Sequence, residues 1–165
     1  MDNNKVKELT FWGTSPIIFL LTILFAIPIV TINCIFKSNF KISIIPHQVL
    51  IILAIILLCI GIPFYIYTAK KLKNAYKEQK LVTNGIFKLC RNPLFAEIII
   101  LIFPGIILFF NSWLLLTIPC FMYFMIKVFI NREEKLLEKK FGKEYIDYKK
   151  VTNAIFPKLW IFNAK

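Results

Sequence analysis

The stretch Pro93–Ile130, PLFAEIIILIFPGIILFFNSWLLLTIPCFMYFMIKVFI, decides the fold. Its two apolar runs, 93–110 and 112–130, meet at Asn111-Ser112. Each run is long enough to cross about 30 Å of hydrocarbon as a helix. With so short a connection they predict a tight antiparallel helical hairpin through a bilayer. Two further apolar runs precede it, roughly Thr14 to Phe36 and Pro46 to Ala69. The predicted fold is therefore all-α and integral to the membrane, with about four transmembrane helices. Pro28, Pro63, Pro104 and Pro119 fall inside these runs and predict kinks, with Pro104-Gly105 the strongest bend.

Composition agrees with that class. The chain has 165 residues, 58% of them hydrophobic, and a mean hydropathy of +0.70. Its length suits a single membrane domain over 1–165: a first helix pair (14–69), a loop (70–92), the hairpin (93–130) and a tail (131–165). The formal net charge of +12 would suggest nucleic acid in a soluble protein. Here the lysines flank apolar spans, so membrane lipids with anionic headgroups are the expected partners and nucleic acid is not. No cleavable signal peptide is expected, because the first apolar run starts after Asp2 and Glu8 and is too long. The four cysteines, Cys34, Cys59, Cys90 and Cys120, have no metal-ligand spacing, and the single histidine, His47, lies at a membrane edge. No metal site is expected. Cys90 reads as structural, although Arg91 beside it would lower its pKa.

Basic residues set the orientation. Segment 70–92 carries Lys70, Lys71, Lys73, Lys77, Lys80, Lys88 and Arg91, and the tail from Arg132 carries nine more lysines and arginines, while the hairpin tip carries none. The positive-inside rule puts the long loop, the tail and both termini in the cytoplasm. The loop begins as a basic helical extension from Lys70 to about Gln79 and turns at Asn84-Gly85. The tail reads as an amphipathic helix from Asn131, interrupted at Gly142. Tyr145 and Tyr148 share a face if helix resumes. Leu159-Trp160-Ile161-Phe162 suit a segment lying on the membrane surface.

The hairpin brings its two cytoplasmic ends together. Arg91-Asn92-Pro93 opens the third span, and Asn131-Arg132-Glu133-Glu134 closes the fourth. Pro93 suits the first helical position, where an N–H has no intrahelical partner. Glu97 lies one turn further in, about 6 Å along the axis. A carboxylate at that depth needs a cation, water or a proton.

The residues Leu81-Val82-Thr83-Asn84-Gly85-Ile86-Phe87, Arg91-Asn92-Pro93-Leu94-Phe95, Glu133-Glu134-Lys135-Leu136-Leu137 and Phe141-Gly142-Lys143-Glu144-Tyr145-Ile146-Asp147-Tyr148 follow one another in order around an apolar hairpin. This arrangement resembles the isoprenylcysteine carboxyl methyltransferase family and its relatives, the phospholipid N-methyltransferases. The resemblance covers about residues 70–160. It implies an S-adenosylmethionine-dependent methyltransferase with a cytoplasm-facing pocket. Leu81, Val82, Phe87, Asn92, Pro93, Leu94, Phe95, Glu133 and Glu134 would hold the cofactor, and Arg91 would stand near the reacting centre. Glu97 joins Arg91 as a candidate catalytic residue on the strength of its depth in the span.

Asn92 stands where the family usually has histidine, Phe87 and Phe95 where it has tyrosine, Glu97 where it tends to have glycine, and Phe129 where the prenylcysteine enzymes have arginine. These departures bear on the substrate more than on the fold. The implied acceptor is a lipophilic small molecule or lipidated group in the membrane, with a carboxylate or other oxygen as nucleophile. The alternatives are a phospholipid amine, or a degenerate pocket with no catalysis. The first two spans leave room for a homo-oligomer.

Overall fold

The apolar runs become four long helices in the computed structural model, which describes residues 15–156. They are α1 (Ser15–Ile35), α2 (His47–Glu78), α3 (Pro93–Phe110) and α4 (Trp113–Phe141), and a short α5 (Lys143–Val151) follows. All four long helices are long and apolar enough to cross a membrane. Leu24, Ile56, Tyr67 and Phe124 project from their outer faces, an exposure that a lipid surround makes favourable. The protein is an integral membrane protein of all-helical fold. Among the described residues there is no strand, only isolated bridge pairs at Lys41–Ser112 and Cys90–Asn153. The expected surface-lying segment Leu159-Trp160-Ile161-Phe162, the start of the first span at Thr14, and Asp2 and Glu8 fall outside the described residues.

Two helices outrun the expected spans. Helix α2 has 32 residues, about 48 Å at ~1.5 Å per residue, so its lysine-rich end from Lys70 continues the same rod. Gln79 closes it in the left-handed region, at φ 53°. Gly85 also has positive φ, at 66°, and opens a single 3-10 turn, Gly85–Lys88. Helix α4 passes Asn131 without a break and ends at Phe141. The segment after Asn131, expected as a separate tail helix, is thus a rigid extension of the fourth span. Gly142, at φ 54°, separates α4 from α5.

The prolines act differently from one another. The bend expected at Pro104-Gly105 takes the form of a π-helical turn just before it, Ile98–Ile102. The Phe103 N–H bonds the Ile98 carbonyl, five residues back. Pro104 has no N–H to continue the α ladder, so the register slips by one residue ahead of it. Pro119, expected to kink the fourth span, sits in the first α-helical turn after the 3-10 turn Trp113–Leu116. A missing N–H costs little there.

Helix α2 packs on α3 and α1 packs on α4. Ile18, Phe95, Ala96, Ile98, Met122, Ile126 and Ile130 join α1, α3 and α4 in one core. Small residues set the α2–α3 distance, as is usual between membrane helices. A Cβ on Gly105 would lie 2.8 Å from Leu58 Cγ, and one on Gly61 would lie 2.9 Å from Leu101 Cβ. Gly105→Leu is expected to destabilise the fold by about 1–3 kcal/mol through overpacking. Thermal unfolding in detergent measures this, and an unchanged midpoint would contradict the close approach.

The hairpin tip is tied to the α1–α2 loop. Asn111, at φ 53°, turns the chain, and its Oδ1 accepts the Ile42 N–H at 3.1 Å. The Trp113 N–H bonds the Phe40 carbonyl at 3.0 Å, and the Ser112 hydroxyl bonds Asn33 Oδ1. The start of α1, the end of α2, the start of α3 and the end of α4 gather at the opposite end of the bundle.

Candidate functional site

A cavity of about 270 Å³ opens at that opposite end. Its wall takes Ser15 and Phe19 from α1, Tyr65, Ala69, Leu72 and Tyr76 from α2, and Leu81, Val82 and Phe87 from the loop. It continues through Arg91, Asn92, Pro93, Leu94 and Phe95 at the head of α3, then Glu133 and Glu134 on α4, and Tyr145 and Tyr148 on α5. Ten of the eleven candidate residues from the sequence therefore share one wall. Glu97 does not line it.

Local chemistry explains how these pieces are held. Pro93 is the first residue of α3 and Asn92 its N-cap. Asn92 is anchored to the chain beyond α5, where both its backbone N–H and its side-chain Nδ2 bond the Ala154 carbonyl, at 3.0 and 3.1 Å. The Arg91 N–H bonds the Asn153 carbonyl at 2.9 Å. Beside this, Phe87, Tyr145 and Tyr148 form a buried cluster with Leu81, Val82, Leu137 and Phe141 around it. The Tyr148 hydroxyl donates to the Phe87 carbonyl at 2.6 Å. Burial raises the Tyr145 and Tyr148 phenols above their ordinary range, which keeps Tyr148 a donor. The Lys71 ammonium holds the Asn84 carbonyl at 3.1 Å and ties the loop to α2.

Arg91 is the hub of an ion-pair network. Its Nε and Nη2 donate to Glu134 Oε1 at 3.1 and 2.6 Å. Its Nη1 donates to the Lys149 carbonyl at 3.1 Å and to the Thr152 carbonyl. The Lys149 ammonium lies 2.7 Å from Glu134 Oε2 and 2.8 Å from Glu138 Oε1. The Arg91 and Glu134 side chains are only 10% and 7% exposed. Sequence reasoning set Arg91 beside the reacting centre and Glu134 on the cofactor. Both line the cavity, and most of their hydrogen-bonding capacity is directed at each other and at α5. Hydrogen bonds that the Lys149 ammonium donates to Glu134 and Glu138 raise its pKa. Its contribution is therefore fully present at neutral pH and is lost only as pH rises through that raised value.

Cys90 is buried, and its thiol is pushed up to about 11, first by burial and then by the nearby Glu97. Arg91 acts in the lowering direction expected from sequence, but burial outweighs it, so the thiol is protonated at neutral pH. Glu97 is 5% exposed. Its Oε1 accepts the Thr68 hydroxyl at 2.7 Å, and its Oε2 is buried without a hydrogen-bond partner among the described residues. Phe129 packs against the core between α1, α3 and α4.

A phospholipid methyltransferase family profile matches residues 48–144, more than half of the chain. The chain belongs to the phospholipid methyltransferase family. No curated protein matches it. Membership in the phospholipid methyltransferase family makes this protein a membrane methyltransferase and implies S-adenosylmethionine as its methyl donor. The matched residues include most of α2, the whole loop and the complete hairpin.

The cavity suits that donor by chemistry. Leu81, Val82 and Leu94 offer apolar wall, Phe87 and Phe95 offer ring faces, and Glu133 offers a carboxylate. Sequence reasoning missed the share contributed by α1 and α2, which read as generic spans. One signal was present: Tyr65, Ala69, Leu72 and Tyr76 are spaced as one helical face, with two phenols on it.

Proposed function

We propose that the protein transfers a methyl group from S-adenosylmethionine to a lipophilic acceptor resident in the membrane, at the cavity between Leu81, Phe95 and Glu133. The observation that carries this reading is the meeting of three separated stretches, 81–87, 91–95 and 133–134, on one cavity wall. Bound there, the cofactor supplies an electrophilic methyl on a sulfonium. Phe87 and Phe95 face that positive charge, for about 0.5–2 kcal/mol by cation–π contact. Glu133 receives the ammonium or ribose hydroxyls of the cofactor. The Arg91–Glu134–Lys149 network fixes the head of α3 against α4 and α5, so that Asn92 to Phe95 are preorganised. Orientation and exclusion of water then supply much of the rate, up to about 7–11 kcal/mol in favourable cases. The cavity, the loop and the end of α4 face the cytoplasm, where lysines concentrate.

The acceptor nucleophile is an amine of a phospholipid headgroup. Arg91, the guanidinium that a carboxylate acceptor would need, is already bound to Glu134. The family description points the same way. The oxygen acceptor expected from sequence is the second reading. The histidine-free cavity wall favours it, because a carboxylate needs no general base. Labelling a lipid extract with radioactive methyl donor separates the two. A base-stable label on an amine headgroup is expected. A base-labile label would identify an ester and overturn the amine reading, and no labelled lipid at all would count against both.

A further inference from the structure

Glu97 is a carboxyl group enclosed in a membrane-spanning helix, and it needs an explanation that packing does not provide. A buried polar atom without a partner is costly, and a carboxylate within a span marks a functional position. Glu97 Oε1 is held by Thr68, while Oε2 has no hydrogen-bond partner among the described residues. At about 100° per residue, Glu97 falls on the face of α3 between Pro93 and Leu94, and both of those line the cavity. It lies one turn deeper than they do. On α2, Thr68 lies one turn from Tyr65 and next to Ala69, which line the same cavity. Among the described residues, Tyr65 and Cys90 are titratable groups within electrostatic reach of Glu97. Immediately after Glu97 the helix widens into the π turn Ile98–Ile102, a distortion frequent at functional sites.

We propose that Glu97 is the proton acceptor for the methyl-accepting amine. This rests on the amine reading above and names the group that makes the amine nucleophilic. The protonated headgroup, an R–NH3 cation at the inner end of the cavity one turn above Glu97, transfers one proton through a bridging water to the Glu97 carboxylate at Oε2 and frees the nitrogen lone pair. The nitrogen then forms its bond to the methyl carbon as the carbon–sulfur bond breaks. That bonding pair remains on sulfur, so the sulfonium becomes a neutral thioether and the product is an R–NH2CH3 cation. After the product leaves, the proton on Glu97 returns through the same bridging water to water in the cavity, which restores the carboxylate. Thr68 is a positioning residue: its hydroxyl fixes Oε1 and leaves Oε2 for the proton.

Glu97→Gln tests the assignment, because glutamine keeps the shape and can still accept from Thr68. Loss of a general base lowers rate by about 10²–10⁴-fold. The variant is expected to bind S-adenosylmethionine within twofold of the parent and to methylate at least a hundredfold more slowly at pH 7. Its rate is expected to rise steadily with pH as free amine accumulates, while the parent rate levels off. A Gln variant with the parent's rate and pH profile would overturn the proposal and leave the amine reading standing. A base-labile product from the parent protein would overturn both. Thr68→Val is expected to lower kcat with little change in KM for the lipid, and unchanged kcat would contradict the positioning role.

Discussion

Arg91→Ala is expected to lower stability by about 3 kcal/mol and to abolish most methyl transfer. Removing one partner of a buried ion pair costs about 3–5 kcal/mol, because the other charge is left uncompensated. The lower end applies here, since Glu134 keeps Lys149 at 2.7 Å. The lost contacts tie three elements. Arg91 precedes α3, Glu134 is on α4, and the Lys149 and Thr152 carbonyls belong to the end of α5 and the residue after it. Without them the head of α3 is held to residues 153–154 by backbone bonds and the Asn92 side chain alone. Asn92 to Phe95 then lose their fixed position on the cavity wall, and cofactor affinity falls with stability. Arg91→Lys keeps the charge but cannot meet Glu134 and two carbonyls at once, so it should recover only part of the loss. Denaturation in detergent micelles together with a lipid methylation assay measures both effects. An alanine variant that unfolds and methylates like the parent would show the network to be incidental.

Glu133→Gln tests the acid assigned to the cofactor. Glu133 follows Arg132 on the extension of α4 and lines the cavity, one residue from the Arg91 network. A hydrogen bond to a charged group contributes about 1.5–3 kcal/mol, and about 1.4 kcal/mol is tenfold in affinity. The expected result is roughly a ten- to hundredfold weaker affinity for S-adenosylmethionine. If the variant binds cofactor as tightly as the parent, Glu133 is not the cofactor's acid.

The helical membrane fold was legible because length and apolarity alone specify a span, and four runs passed that test. The hairpin was legible from the two-residue gap at Asn111-Ser112. Pro93 read correctly as a helix start because proline tolerates the position where an N–H is unpartnered. The boundary at Asn131 did not read correctly. Polarity changes there, but nothing between Asn131 and Phe141 breaks a helix, so the rod continues out of its apolar part. Pro104 was legible as a disturbance, though not as a π turn, whose cause is a shift in hydrogen-bond register that residue types do not reveal.

At the site, the stretches 81–87, 91–95 and 133–134 could be grouped from sequence because their order matched a family pattern. The partners of individual side chains could not. That Lys149 joins Arg91 and Glu134 depends on the bend at Gly142, which returns α5 to the end of α4. The role of Thr68 was equally hidden, since a threonine in an apolar run carries no signal until the α2–α3 register is known.

The central claim is that the cavity holds S-adenosylmethionine, and calorimetric titration of the purified protein in detergent tests it most directly. Saturable binding at one site per chain, weakened by Glu133→Gln, is the predicted result. No detectable binding at millimolar cofactor would contradict the account.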